Sequence, residues 1–146
     1  MSRAITVCRP VRLGCALLLL TTAIRSQSLI SEIKSEHDPF KRSEKALSLA
    51  NDAFDNARDE YVKGEINKGD AELETMMNAL DECVASLNTA HKARYYKKAE
   101  MDVALLQRRL KTLVDDISVQ ERGWAEYTQR KLDEVHDKLL DGVMRK

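Results

Sequence analysis

The segment 91–98 holds the residues whose types and spacing are best suited to binding chemistry. Four cations and two tyrosines fall within eight positions, namely Lys92, Arg94, Tyr95, Tyr96, Lys97 and Lys98. Such a mixture can hold phosphates, acidic polysaccharide or lipid headgroups, with the rings available for stacking. We therefore predict an anionic partner for a site, called the basic segment below, that consists of Lys92, Arg94, Tyr95, Lys97 and Lys98. The alternative is structural: Tyr96 begins an apolar helical stripe, and the cations solvate the loop before it.

Residues that could hold a metal or catalyse a reaction are few and scattered along the sequence. His37, His91 and His136 are the only histidines, and neither a Cys-x-x-Cys nor a His-Glu-x-x-His spacing occurs. A di-iron bundle needs two Glu-x-x-His pairs, whereas only Asp133-x-x-His136 comes near that pattern. We therefore predict a protein that is not an enzyme, with no cofactor and no metal site, in which Asp133 and His136 lie on a solvated helix face.

Two further motifs are predicted to be structural. Gly64 and Gly69 have the glycine spacing of a phosphate-binding loop, but Asp70 stands where the phosphate-binding lysine belongs. A carboxylate at that position would repel phosphate, so we predict a plain turn between two helices. Trp124 and Tyr127 are expected to anchor the core near the start of the last helix and not to line a pocket.

The N-terminal 26 residues have the charge and hydropathy pattern of a secretory signal peptide. Arg3, Arg9 and Arg12 precede an uncharged stretch of 12 residues at 13–24, and small residues follow it. A membrane-spanning helix needs about 20 apolar residues, so no transmembrane anchor is expected after processing. We predict a signal peptide at 1–26, a polar segment at 27–37 and a single helical domain at 38–146. The mature protein is then periplasmic or secreted.

Removal of this signal peptide would change the charge balance of the protein. Four arginines and no acidic residue lie within 1–26, so 20 basic residues would face 24 acidic ones, a net charge of −4. A mildly acidic exported domain is poorly suited to coating nucleic acid or an anionic membrane, and we expect no nucleic acid among its partners.

Cys83 would be the sole cysteine of the processed chain, which excludes an intramolecular disulfide. It falls between Leu80 and Leu87 on an apolar helical stripe, where a cysteine usually fills space as a small apolar side chain. The alternative is a partly exposed thiol that links two chains through an intermolecular disulfide.

The composition and the periodicity of apolar residues predict an all-α protein. Ala, Glu, Lys, Leu and Arg supply 69 of the 146 residues, which is typical of long helices. Apolar residues recur at steps of three and four in four stretches, which predicts helices at about 39–62, 68–90, 94–116 and 119–142. Asp38 is the expected N-cap before Pro39, and Ser118 with Glu121 forms the pattern of a capping box.

Four amphipathic helices of similar length must shelter their apolar stripes from water against one another. We predict a four-helix bundle or two stacked antiparallel helical hairpins. The alternative is that the third and fourth helices form one continuous rod, because Gly123 only weakens a helix. A rod of that kind would favour a dimeric coiled coil, so a homo-oligomer is among the expected states.

Part of the sequence resembles a known repeat family. Ala46, Ala50 and Ala53, followed by Tyr61-Val62-Lys63-Gly64-Glu65, Gly69 and Leu73, are similar to the turn between the paired helices of a tetratricopeptide repeat. This pattern occurs once, so it implies a helical hairpin and no ligand-binding residues.

The chain after residue 26 is also similar as a whole to small exported helical proteins of bacteria that have no assigned activity. This similarity rests on Asp38-Pro39, on Tyr61-x-x-Gly64-Glu65 and on the ending at 137–142. It implies no chemistry.

Two functional hypotheses follow from these features. The first is an exported, non-enzymatic interaction or structural module of the cell envelope, which presents a helix face or the basic segment to a partner. The second is a bundle that binds a small ligand or metal between its helices through Cys83, Met76, Met77 and carboxylates, since bundle cores can host such sites.

Overall fold

The structure, a computed structural model, describes residues 27–144, and the signal peptide predicted at 1–26 lies outside this range. The described residues form five helices and no strand, which confirms the predicted all-α class. The helices are α1 (27–35), α2 (Pro39–Val62), α3 (Ile66–Ala90), α4 (Ala93–Asp116) and α5 (Gly123–Met144). Within residues 27–144, no helix combines the length and apolar character needed to cross a membrane.

Helix α2 begins after the predicted cap residue Asp38 and ends before the predicted turn at Gly64. The backbone N–H of Phe40 donates to Asp38 Oδ1 at 2.9 Å, and Pro39 occupies the first helical position. The carboxylate thus satisfies a donor that the first turn of a helix leaves free. At the other end Gly64 has a φ of +77°, a left-handed conformation that glycine adopts without steric cost.

The start of α5 differs from the prediction. Helix α5 begins at Gly123 and not at Val119, because the capping box at Ser118 does not form. Ser118 Oγ instead donates to the carboxylate of Glu121 at 2.6 Å, and the backbone N–H groups of Glu121 and Arg122 donate to the Ser118 carbonyl. The resulting turn separates α4 from α5, so the alternative of one continuous rod is wrong.

The start of α3 also differs from the prediction, whereas its end at Ala90 agrees with it. Helix α3 begins at Ile66, two residues before the predicted start, and its N-cap residue Glu65 makes no side-chain cap. Only two residues connect α3 to α4, and the first of them, His91, has a φ of +50°. Its N–H donates to the Leu87 carbonyl at 3.0 Å, so this left-handed residue closes α3 where no glycine is present.

The predicted apolar stripes form the core. Helix α2 packs mainly along α3, and α4 packs mainly along α5, while smaller contacts of α3 with α5 and of α2 with α4 join the two pairs. The largest fully buried side chains of this core are those of Phe54, Leu73, Met76, Leu80, Leu87, Leu106, Leu110, Leu132 and Leu139. Their burial removes apolar surface from water, which is the main driving force for folding.

The polar segment predicted at 27–37 is mostly helical. Helix α1 spans 27–35, and Ile33 on its inner side is buried as part of the core. Lys34 lies 3.8 Å from Glu82 of α3, which is partly buried. Leu29 and Ile30 precede Ile33 by four and three residues, a helical spacing, but one turn of such a pattern is too short to have predicted a helix.

Two tyrosines pack against glycines on neighbouring helices. A Cβ atom on Gly69 would lie 2.9 Å from the ring of Tyr61, and one on Gly142 would lie 2.2 Å from the ring of Tyr96. Gly142 is buried, and α5 continues beyond it to Met144, two residues past the predicted end at 142. The glycine allows the Tyr96 ring to contact the α5 backbone.

The contacts between α2 and α4 repeat at a constant separation along the chain. Lys98 Nζ lies 2.5 Å from Glu44 Oε1, and Arg109 pairs with Asp55, so both pairs join residues that are 54 positions apart. The pairs are 11 positions apart in each helix, which is about three helical turns. Helices α2 and α4 therefore run in the same direction with their facing sides in register.

Candidate functional site

The basic segment lies at the start of α4, where the chain leaves α3. Lys92 is the N-cap residue of α4, and its side chain makes no capping hydrogen bond. Lys92, Arg94, Lys97 and Lys98 are exposed, and Tyr95 is half-buried. One part of the structural alternative is confirmed, since Tyr96 is buried and begins the apolar stripe of α4.

Tyr95 is the centre of a cluster of aromatic rings and cations. Its ring stacks on Phe40 of α2 with 4.1 Å between ring centroids and an interplanar angle of 25°. The Arg94 guanidinium lies 4.7 Å from the Tyr95 centroid, and Lys92 Nζ lies 5.8 Å from it. Arg94 also donates to the Tyr95 hydroxyl at 2.7 Å. The negative face of the ring attracts both cations.

The cations of the basic segment divide into two classes by their carboxylate contacts. Lys97 lies 3.0 Å from Glu100, and Lys98 lies 2.5 Å from Glu44. The hydrogen bond to Glu44 raises the pKa of Lys98. Among the described residues, no carboxylate forms an ion pair with Lys92 or Arg94. These two are consequently the cations with charge available to an external anion.

Phe40 belongs to this cluster although the sequence did not single it out. Lys98 Nζ lies 5.8 Å from the centroid of its ring, so Phe40 contacts both the stacked tyrosine and a cation. Phe40 is 55 positions away from Tyr95, close to the constant offset between α2 and α4. Only the register of these two helices, which a single sequence does not reveal, brings the two rings together.

Asp133 lies on an exposed helix face, as predicted, whereas His136 is partly buried, and both residues contact α4. Asp133 accepts a hydrogen bond from Gln107 at 2.7 Å, and His136 Nε2 lies 3.1 Å from Glu100. Hydrogen bonds from Lys97 and then from His136 lower the pKa of Glu100. Within residues 27–144, no cluster of histidine, cysteine and carboxylate side chains has the makeup of a metal site. The two residues thus help to attach α5 to α4.

Asp70 binds a tyrosine inside the turn between α2 and α3. The Tyr61 hydroxyl donates to Asp70 Oδ1, and burial, together with this hydrogen bond, raises the pKa of Tyr61. The Tyr61 ring rests on Gly69. The glycines and the acid at 64–70 therefore serve a helix turn, as the sequence indicated.

Cys83 is buried in the core, with 1% of its surface exposed. Burial, and then the negative charges of Asp102 and Glu82, raise the pKa of its thiol to about 12. A thiol with this pKa is almost entirely protonated at neutral pH and is a poor nucleophile. The predicted intermolecular disulfide stays a prediction, and in this fold it would require the core to open around Cys83.

Trp124 and Tyr127 do not anchor the core, in contrast to the prediction. They are 40% and 42% exposed, with ring centroids 5.2 Å apart. With Met77, Asp81 and Lys131 they line an open groove of about 350 Å³ between α3 and α5. Ala125 takes the inward position in the first turn of α5, because it lies three residues before Thr128 and seven before Leu132, which are both buried. Trp124, one position earlier, is turned about 100° away from Ala125.

Neither a protein-family model, nor a curated protein, nor a solved structure matches this chain.

Proposed function

We propose that this protein is an exported, non-enzymatic helical module that binds an anionic partner in the cell envelope through the basic segment. The observation that carries this proposal is the state of Lys92 and Arg94. Both are exposed, both lie against the Tyr95 ring, and neither has a carboxylate partner among the described residues. Cations that only solvate a loop would not need to lie against an aromatic ring.

The location at the envelope rests on the sequence of residues 1–26. Their order of basic, apolar and small residues is that of a secretory signal. The mass of the protein purified from envelope fractions tests this part of the proposal. A chain that starts near residue 27 supports export, and a chain that retains Met1 and stays in the cytosol contradicts it.

The architecture that we propose is two antiparallel helical hairpins stacked on each other. The pairing of α2 with α3 and of α4 with α5, each connected by a short turn, supports this arrangement. The in-register ion pairs of α2 with α4 support stacking of the two hairpins side by side. Distances between spin labels on α2 and α4 would test it, and values that do not stay constant along the two helices would contradict it.

Binding of inorganic polyphosphate, measured by titration calorimetry, tests the role of the basic segment. The variant Lys92→Gln/Arg94→Gln removes the two unpaired cations, and we expect its affinity to fall by about tenfold or more. Arg130→Gln/Lys138→Gln on α5 is the matched control, because both residues are exposed and form no ion pair within the described range. Equal losses in the two variants would show a general charge effect and would contradict the proposed site.

A ligand inside the core, the second hypothesis, has less support. Met76 and Cys83 are fully buried among apolar side chains, and Met77 lines the surface groove between α3 and α5. The three residues thus do not converge on one site.

A further inference from the structure

Helix α4 carries a second stripe of residues, opposite to its buried one. Its members follow one another at steps of three and four, and every one is exposed: Arg94, Lys97, Met101, Leu105, Arg108 and Thr112. This outward stripe is about 27 Å long at 1.5 Å per residue. Met101 and Leu105 at its centre are 60% and 51% exposed.

The outward stripe is basic along residues 92–112, which contain seven basic residues and two acidic ones. The last turn of α4 adds the exposed Asp115 and Asp116, so the positive charge ends before that turn. Arg94, Arg108 and Lys111 form no ion pair with any described residue. The cations therefore flank two exposed apolar side chains on both sides.

We propose that the outward stripe of α4 docks onto the surface of an anionic lipid bilayer, with Met101 and Leu105 inserted among the headgroups. This inference rests on the proposed function, because it names the anionic partner of the basic segment and extends the contact along α4. Apolar residues flanked by lysine and arginine are the composition of helices that lie in a membrane interface. Their cations contact lipid phosphates while the aliphatic stems stay in the apolar layer.

A lipid surface fits the outward stripe better than a soluble polyanion does. Polyphosphate or acidic polysaccharide would engage the cations and leave Met101 and Leu105 in water. A bilayer engages both groups, since its phosphates are charged and its acyl chains are apolar. The outward stripe is also a convex surface formed by one helix, and the headgroup layer of a bilayer can deform around such a surface.

Acidic residues limit how far the contact could extend onto α5, the helix that packs along α4. Asp137 and Asp141 are exposed on α5, as is Leu140, which is 40% exposed. Their charge would repel lipid phosphates. Contact is consequently confined to α4, and removal of these two charges should strengthen it.

Flotation with vesicles tests the proposal. The wild-type protein is expected to bind vesicles of phosphatidylglycerol and phosphatidylcholine, to release them at high salt, and not to bind vesicles of phosphatidylcholine alone. Arg94→Gln/Arg108→Gln should weaken binding about 30-fold, from about 1 kcal/mol for each cation near an anionic surface. Asp137→Asn/Asp141→Asn should bind more tightly while keeping the wild-type circular dichroism spectrum and unfolding temperature, which excludes binding through misfolded protein.

A second variant separates lipid insertion from simple charge attraction. Met101→Ser/Leu105→Ser should weaken vesicle binding about tenfold and leave polyphosphate binding unchanged. Val62→Ser/Val119→Ser is its matched control, because both valines are exposed and lie outside α4, Val62 at the end of α2 and Val119 in the turn before α5. A fluorophore on Met101→Cys, placed selectively because Cys83 is buried, should shift to the blue with anionic vesicles.

The outcomes separate the two proposals. Binding of polyphosphate without binding of vesicles would overturn the lipid inference and leave the proposed function standing. Failure to bind either probe would overturn both. Equal binding of neutral and anionic vesicles, or full vesicle binding by Met101→Ser/Leu105→Ser, would also overturn the lipid inference. Specific capture of an acidic protein by the outward stripe, without vesicle binding, would do the same.

Discussion

At the scale of single residues, Gly142 shows how closely the helices approach. The ring of Tyr96 fills the space that a side chain at position 142 would need, and the Tyr96 hydroxyl donates to Asn88 on α3 at 2.7 Å. One ring thus contacts α5 and reaches α3. A single methyl group at position 142 would push this ring away from both.

We expect Gly142→Ala to lower the free energy of unfolding. Overpacking against Tyr96 costs about 1–3 kcal/mol, and the better helix propensity of alanine offsets about 1 kcal/mol of it. Thermal unfolding followed by circular dichroism measures the difference. Gly123→Ala is the control, because a Cβ there meets no atom within 4 Å. An unfolding temperature of Gly142→Ala at or above that of Gly123→Ala would contradict the close contact.

Cys83 should be protected from thiol reagents in the folded protein. Its side chain is 1% exposed and burial raises its pKa, so we expect negligible modification in buffer and rapid modification in denaturant. The time course of a chromogenic thiol reagent measures both rates. Rapid modification of the native protein, or a covalent dimer that reductant dissolves, would instead favour the intermolecular disulfide.

Glu100 should make the stability of the protein sensitive to acid. Because Lys97 and His136 hold its pKa below the ordinary value of 4.5, the folded state binds fewer protons at this group than the unfolded state does. Its contribution is present above pH 4.5 and is lost as the pH falls through the lowered pKa. Glu100→Gln should therefore show a smaller drop of the unfolding temperature between neutral pH and acid.

The matched control for this experiment is Glu74→Gln. Glu74 is exposed and forms no ion pair with described residues. A pH profile of Glu100→Gln that overlays both the wild type and this control would show that the contacts of Glu100 add nothing to stability.

At the scale of the helices, the sequence predicted what local chemistry determines. The apolar stripes, the Asp38 cap and the Gly64 turn all act within a few residues, and α2 and α4 were placed correctly to within one residue at each end. The start of α5 was missed because Ser118 has two competing partners, the Glu121 backbone and its carboxylate. Only the surrounding turn decides between them.

The candidate site was only partly predictable for a related reason. The basic segment is contiguous, so its residues could be named from the sequence. Phe40 and Glu44 join it from α2, and the exposed Trp124 and Tyr127 depend on how α5 is rotated. The register of α2 against α4 and the rotation of α5 about its axis depend on tertiary packing. The periodicity of apolar residues in the sequence therefore does not reveal them.

Removal of the cap on α2 should destabilise the protein measurably. Asp38→Ala leaves the N–H of Phe40 without its acceptor, and we expect a loss of about 1 kcal/mol in the free energy of unfolding. Urea unfolding measures this loss. Asp52→Ala, an exposed position in the middle of α2, is the control and should change stability by less than about 0.5 kcal/mol. Equal effects would rule out a capping role.

At the scale of the whole molecule, the ion pairs between α2 and α4 connect the two helix pairs. Arg109 binds Asp55 and also lies 4.5 Å from the centroid of Phe54, which is fully buried. The guanidinium thus covers the edge of the core between the two pairs. Arg109 therefore contributes both an ion pair and a cover over Phe54, whereas an ordinary surface charge contributes at most an ion pair.

A double-mutant cycle should detect this connection. For Asp55→Ala, Arg109→Ala and the double variant, we expect a coupling energy of about 0.5–1 kcal/mol, which is typical of partly exposed ion pairs. Arg109→Ala alone should cost more than Asp55→Ala, since it also uncovers Phe54. Urea unfolding of the four proteins provides the energies. A coupling of zero would mean that the pair is a surface contact without structural effect.

The 54-residue offset between α2 and α4 determines where the chain tolerates changes in length. An extra residue within α4 after Lys98 would turn the rest of that helix by about 100° and carry Arg109 away from Asp55, while Glu44 would keep its partner. An extra residue at 117–122 lies outside both helices and would leave both partners in place. Evolution can therefore lengthen this molecule at its turns, while the interior of α4 can change only by substitution.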